Sequence, residues 1–347
     1  QFRNKNPCRQ IKGPSMTTIK RAAIIGGGVI GAGWIARLIE NGVVVSVFDP
    51  APDAKEKIDA VLVNSRYAYK KLSNVTGPQE GRVIFCESVA EACHSAELIV
   101  ESVPERLATK QAVYAEIENY ADINAIIASS TSGILPSDLQ AFMSNPERFL
   151  VAHPFNPVYL LPLVEIVGGS KTSSTVIQKA KAIYQSIGMH PLIVKKEIEA
   201  FIADRLLESL WREALWLVKD GIATTEDIDN AVRFGFGLRY AQMGIFDTYR
   251  VAGGEAGMRH FIEQFGPCLK WPWSKLTDVP ELDDELVDKI ASQSDEQSGH
   301  MSIREMERIR DDNLIEILQG LKRNNWGAGQ TLANYESRLL KAANDPG

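Results

Sequence analysis

The segment HPFNPVYLLPLVE, residues 153 to 165, sets His153 and Glu165 at the two ends of a run of Pro, Phe, Leu and Val. A neutral imidazole can take a proton from an alcohol, and a carboxylate against its other ring nitrogen fixes the tautomer and stabilises the imidazolium. A His or Glu beside an apolar run is more often a satisfied structural residue, so this chemistry needs support from elsewhere in the chain. Ser132, in AIIASSTSG, follows another apolar run with a hydroxyl suited to orienting a reacting oxygen.

A second group of residues is suited to binding. In AAIIGGGVIGAG, Gly26, Gly28 and Gly31 have the spacing GxGxxG, with Gly27, Val29 and Ile30 between them. A strand-like run precedes the glycines and a helix-like run follows. In that context the first glycine permits a tight turn, the second lets backbone approach a pyrophosphate, and the third allows close helix packing. The helix N-terminus then faces the phosphate charge. Asp49 closes the next strand-like run, VVVSVFDP, eighteen residues past Gly31. A carboxylate there accepts hydrogen bonds from both adenosine ribose hydroxyls and repels a 2′-phosphate, so NAD is expected rather than NADP.

Elements that position these groups can be read along the chain. RAAIIGGG, VVVSVFDP, AELIVESVP, NAIIASSTS and RFLVAHPF are strand-like, and GAGWIARLIENG and KQAVYAEIENYA carry apolar residues at helical spacing. The alternation predicts α/β architecture: a Rossmann-type doubly wound parallel sheet over residues 16–200. Past residue 200 long helical periods replace the alternation, which predicts an all-α domain over 201–335. Residues 1–15 read as a disordered polar tail and 336–347 as a frayed C-terminus.

At 347 residues, with 45% hydrophobic and 24% charged residues, the chain has an ordinary globular composition. Its net charge of −6 argues against a nucleic-acid surface. No apolar run reaches the roughly 18 residues of a membrane helix, so no membrane partner and a cytoplasmic location are expected. Cys8, Cys86, Cys93 and Cys268 lack zinc-site or disulfide-scaffold spacing. No metal is expected, and His94, His190, His260 and His300 read as structural or surface residues.

The set of GxGxxG, Glu105 and Lys110 in VPERLATK, Ser132 in SSTSG and HPFNP…LVE resembles the L-3-hydroxyacyl-CoA dehydrogenase family. The resemblance runs from about residue 19 to 260. It implies His153 as base, Glu165 as its partner, Ser132 as a substrate-oxygen contact, and Glu105 with Lys110 near the cofactor. It also implies a homodimer formed through the helical domain. Taken alone, Glu105 and Lys110 would read as a surface ion pair.

Where that family has an Asn in a GFIVNRLL-like segment, this chain has AFIADRLL, with Asp204 at the Asn position. A negative charge there suits a cation better than a phosphorylated CoA thioester. Asp204, Glu208 and Trp211 fall at i, i+4 and i+7 on one helix face, with Trp216 further along. Carboxylates and aromatic faces are what a quaternary ammonium requires. The competing reading makes the tryptophans core residues and Asp204 a helix-start residue paired with Arg205. Longer segments resemble the branch of the family that oxidises L-carnitine, so a small-molecule substrate, L-carnitine, is expected, with Asp204, Asn156 and Trp211 binding it. Arg205, Arg239 and Arg250 are candidates for its carboxylate. A 3-hydroxyacyl-CoA, L-gulonate, or a non-enzymatic role like that of lambda-crystallin are the alternatives.

Overall fold

The computed structural model describes residues 19–75, 78–241, 244–252, 257–265 and 300–344, with scattered positions between 272 and 293. The tail at 1–15 lies outside the described residues.

Short apolar runs bounded by turns build the first half. In order they are β1 (Arg21–Ile25), α1 (Val29–Glu40), β2 (Val44–Phe48), α2 (Ala54–Leu72), β3 (Val83–Phe85), α3 (Val89–Cys93) and β4 (Leu98–Glu101). There follow α4 (Leu107–Tyr120), β5 (Ile126–Ser129), α5 (Pro136–Leu139), β6 (Phe149–Pro154), β7 (Leu163–Val167), α6 (Ser174–Ser186) and β8 (His190–Val194). They form one sheet of order β3-β2-β1-β4-β5-β6-β7-β8. Alternate residues of each central strand face opposite layers, which is why runs such as LIVE in β4 are buried throughout. Ile24, Val45 and Val100 pack on one side with α1, α2 and α6. Ile25, Ile99 and Ile127 pack on the other with α3 and α4.

Strands β1 to β6 are parallel, as the alternation predicts, but β7 runs antiparallel to β6, and β8 runs parallel to β7. The apolar stretch from His153 to Glu165 is therefore the end of one strand, a loop and the start of the next. Its loop contains a cis Asn156–Pro157 bond, and its residues Val158, Tyr159 and Leu160 are buried.

The helical half starts with α7 (Ala203–Lys219) and α8 (Thr225–Ala231), followed by a π segment (Val232–Phe236). It continues with α9 (Gly237–Tyr240), α10 (Gly244–Ala252) and α11 (Gly257–Phe265). The last two described helices, α12 (Ile303–Arg323) and α13 (Gly327–Asn344), depart from expectation. Ser302 and Glu305 make a capping box at the start of α12. Ile315, Leu318 and Leu332 then join the core around β1, α1 and α2 rather than a separate helical core. Residues past 335 do not fray at once, since α13 continues to Asn344 and Glu336 pairs with Lys322 at 3.0 Å. The sequence shows an amphipathic pattern here but not its partner, which lies more than two hundred residues earlier. No described helix is long and apolar enough to cross a membrane.

Candidate active site

The glycine loop sits between β1 and α1. Gly26 has φ +98°, a conformation that favours glycine, and a Cβ there would lie 2.6 Å from the Ser102 carbonyl oxygen. A Cβ on Gly31 would lie 1.9 Å from the Gly26 oxygen, so the helix can approach the loop only with glycine there. Gly28 differs: a Cβ would meet nothing within 4 Å. That open space lies at the start of α1, whose first turn carries no acidic residue and no side-chain cap. Unsatisfied N–H groups of the first turn, at Val29 and Ile30, together with the helix dipole, fit a pyrophosphate.

Asp49 lies just past the end of β2. Its Oδ2 accepts the Gly27 N–H at 2.6 Å and its Oδ1 the Ala51 N–H at 2.8 Å, which pins the carboxylate beside the glycine loop with lone pairs to spare. Asp49→Ala is expected to weaken NAD binding at least about tenfold, the loss of one or more charge-assisted hydrogen bonds. Fluorescence titration checks this, and unchanged affinity would refute the ribose assignment.

Glu101, which the sequence reading passed over, closes β4 and is fully buried. Its Oε1 accepts the Val103 N–H at 2.7 Å and pairs with Lys110 Nζ at 2.8 Å. Its Oε2 accepts the Ser129 hydroxyl at 2.7 Å and the Tyr114 hydroxyl. Burial, then the Glu101 charge, pushes the Tyr114 phenol up, so it remains a donor. Lys110 is likewise enclosed, and also reaches the Val103 carbonyl and Glu105 Oε2, both at 3.2 Å. It is thus no surface residue, and three acceptors of its own chain surround its ammonium. Glu105 in turn accepts, at its Oε1, the Thr131 hydroxyl and, at 3.2 Å, the Ser132 N–H. An acidic residue ending an apolar strand, the same signal that marks Asp49, is the clue that would have found Glu101.

His153 and Glu165 face each other across β6 and β7 as a register pair. The imidazole Nδ1 lies 2.9 Å from Glu165 Oε2. A carboxylate only accepts, so the neutral ring that this contact favours carries its proton on Nδ1 and its lone pair on Nε2. The rings of Phe155 and Phe201 lie 5.0 and 5.7 Å from the imidazole and keep it dry on those sides. Glu165, fully buried, has a second role that the sequence did not reveal. Its Oε1 accepts the Ile202 and Ala203 N–H groups at 3.0 and 3.1 Å, capping α7, which has no side-chain cap of its own. Ala200 and Phe201, both in the left-handed region, turn the chain into this position.

Asp204 stands in the first turn of α7. Its Oδ2 is 3.7 Å from His153 Nε2, on the side of the ring away from Glu165. Among the described residues no ion pair joins it to Arg205, whose Nη1 donates to the Glu199 carbonyl at 3.1 Å. Desolvation raises the Asp204 pKa; His153 opposes this and the charges of Glu165 and Glu208 add to it. Among the other expected residues, Ser132 is exposed beyond the end of β5, the neighbour of β6, with no hydrogen bond between its hydroxyl and the imidazole. Asn156 is exposed just past β6. Trp211 is half exposed on α7, against the reading of it as core. Trp216 already holds Lys219 Nζ 4.8 Å over its ring, so one of its faces serves an internal cation. Arg239 is exposed, and the Arg250 side chain lies outside the described residues. Among the described residues, no cluster of three or more His, Cys, Asp and Glu could hold a metal.

Residues 21–198 match the 3-hydroxyacyl-CoA dehydrogenase NAD binding domain, and residues 201–289 match the 3-hydroxyacyl-CoA dehydrogenase C-terminal domain. The L-carnitine dehydrogenase of Mesorhizobium japonicum is 59% identical over 94% of this chain and 92% of its own length. That of Pseudomonas putida is 52% identical over 89% of this chain and 96% of its own. Among solved structures, 5-formyl-3-hydroxy-2-methylpyridine 4-carboxylic acid 5-dehydrogenase is 29% identical, with a TM-score of 0.74 over 88% of this chain and 99% of that one. With both domain models matched in order, and relatives more than half identical over most of its length, the chain belongs to the 3-hydroxyacyl-CoA dehydrogenase family.

Proposed function

We propose that this chain catalyses the NAD-dependent oxidation of the 3-hydroxyl of L-carnitine to 3-dehydrocarnitine. The observation that carries the substrate is the Asp204 carboxylate 3.7 Å from His153 Nε2, an anion beside the proton-accepting atom. L-Carnitine is a 3-hydroxy acid with a trimethylammonium close to its hydroxyl, and the relatives named above are L-carnitine dehydrogenases.

The division of labour follows from the residues. His153 Nε2 takes the hydroxyl proton, and Glu165 and Asp204 stabilise the imidazolium from its two sides. Ser132 and Asn156 orient the oxygen-bearing end of the substrate. A trimethylammonium donates no ordinary hydrogen bond, so Asp204 and Glu208 attract it by charge and Trp211 by its aromatic face. Asp49, Glu105 and the loop Gly26–Gly31 would hold NAD, which would supply a hydride acceptor for the carbon that becomes the ketone.

The exposed apolar residues Leu206, Leu207 and Leu210 of α7, with Phe234 and Phe246, support a homodimer formed through the helical half. The free thiols Cys86 and Cys93 suit a reducing, cytoplasmic setting. The test is NADH formation from L-carnitine, L-gulonate and a 3-hydroxyacyl-CoA in parallel. Turnover of L-carnitine at least about a hundredfold more efficient than of the others is expected, a discrimination within reach of one partly desolvated charge contact. Preference for the thioester would overturn the substrate assignment, and no turnover of any despite NAD binding would favour a structural role.

A further inference from the structure

The two helices at the end of the chain, α12 and α13, lie beyond the residues matched by the family's domain models, which stop at 289. They return to the nucleotide-binding half and are fastened along α2. Tyr67 donates to Asp312 at 3.0 Å, and Lys71 pairs with Asp312 at 2.7 Å. Arg308 reaches Asn64 at 3.0 Å and stacks 3.7 Å over the Tyr67 ring. Gln319 donates to the Lys71 carbonyl at 2.6 Å. One contact goes further than fastening. Asp311, 1% exposed, accepts the hydroxyl of Tyr159, 5% exposed, at 2.6 Å.

Tyr159 belongs to the loop that joins β6 to β7, and so joins His153 to Glu165. That loop is gripped from two helices. On one side Arg37 of α1 donates from Nε and Nη2 to the Val158 carbonyl at 3.1 and 2.9 Å, and from Nη2 to the Leu161 carbonyl at 3.2 Å. Gly33 of the same helix lets Val158 approach closely, since a Cβ there would lie 2.8 Å from the valine Cβ. On the other side stands Asp311. A charge-assisted hydrogen bond from a phenol to a buried carboxylate is stronger and more directional than a neutral one, and it adds to the loop's own turn, in which the Leu160 and Leu161 N–H groups donate to the Pro157 carbonyl at 3.0 and 2.9 Å.

We propose that Asp311 is a positioning residue for the His153–Glu165 pair: through Tyr159, the C-terminal helices set the loop that fixes the spacing of β6 and β7 at the site. The proposal rests on the reading of His153 and Glu165 as base and partner. A shift of a fraction of an ångström in the loop lengthens the 2.9 Å contact between them, weakens the stabilisation of the imidazolium, and misplaces Nε2.

The test compares Asp311→Ala, Tyr159→Phe, the double variant and His153→Gln with the wild-type chain, using L-carnitine and NAD. Asp312→Ala, which loosens the same helix from α2 without touching the loop, is the control. Each single variant at the 159–311 contact is expected to lower kcat about tenfold, a typical consequence of sub-ångström misplacement. The acid limb of the kcat profile should move to lower pH, because a less stabilised imidazolium forms less readily. The double variant should be no worse than either single one, and NAD affinity should be unchanged. Asp312→Ala should lower the melting temperature while kcat and the acid limb stay put. Wild-type kcat and acid limb in folded Tyr159→Phe overturn the proposal; if Asp311→Ala does not fold, Tyr159→Phe alone decides. An inactive His153→Gln beside a wild-type Tyr159→Phe sinks the positioning role only, whereas an active His153→Gln removes the base assignment and this proposal with it.

Discussion

His153→Gln is expected to lower kcat for alcohol oxidation by about a thousandfold, the middle of the range for loss of a general base, with the dissociation constant for NAD within about twofold of wild type. The amide fills the space of the imidazole and can still meet Glu165, so the cap on α7 and the fold survive. What it lacks is a lone pair basic enough to take the hydroxyl proton. The two halves of the prediction follow from the separation of the two sites. The glycine loop and Asp49 belong to β1, α1 and the end of β2, while His153 belongs to β6. Stopped-flow turnover and fluorescence titration give the two numbers. A variant retaining more than about a tenth of wild-type kcat would contradict the assignment of the base, given the usual magnitude of that effect.

Asp204→Asn is expected to raise KM for L-carnitine about thirtyfold, some 2 kcal/mol for removing one partner of a partly desolvated charge pair. KM for NAD should change little. Asn is nearly isosteric and sits equally well in the first turn of α7, so the variant tests charge rather than packing. The loss in kcat should be smaller, because Glu165 still supports the imidazolium from the other nitrogen. Acidity provides a second readout. Desolvation, aided by Glu165 and Glu208, raises the Asp204 carboxyl above the ordinary aspartate range, so in the free enzyme protonation begins at a higher pH than for an exposed Asp. Since only the ionised form attracts a cation, kcat/KM for L-carnitine falls as pH drops through that raised value. In Asp204→Asn that part of the acid limb should disappear. Equal effects on both substrates would leave the cation assignment without support.

Much of the nucleotide site is legible in the sequence because its signals are local. Gly26, Gly28 and Gly31 follow one strand within a single turn, and Asp49 ends the next. Each therefore appears as punctuation in an apolar pattern. His153 is legible for the same reason, as a polar group at a strand end. Glu165 was half legible: its spacing pointed to the imidazole, but its cap on Ile202 and Ala203 depends on how the chain turns at Ala200 and Phe201. Glu101 and Lys110 are nine residues apart, yet their burial follows from the packing of α4 beneath β4 and cannot be read from spacing. The reversal of β7 was hidden because an apolar run crossing a loop looks the same as one crossing a strand. Least legible was the return of α12 and α13 to α2, since helical periodicity says that a face is buried but not against what.

The central claim is that a carboxylate beside the catalytic imidazole selects a cationic 3-hydroxy acid, and the most direct measurement compares L-carnitine with its neutral carbon isostere. In that molecule a quaternary carbon replaces the nitrogen, with the same handedness at the hydroxyl-bearing carbon, so shape is kept and charge is removed. The initial rate of NADH formation gives kcat/KM for both compounds in the wild type and in Asp204→Asn. The account predicts that wild type prefers L-carnitine by about thirtyfold or more, in line with one such charge contact, and that Asp204→Asn loses most of that preference by losing activity on L-carnitine alone. A wild type that oxidises both compounds equally well, or a preference that survives in Asp204→Asn, would contradict it.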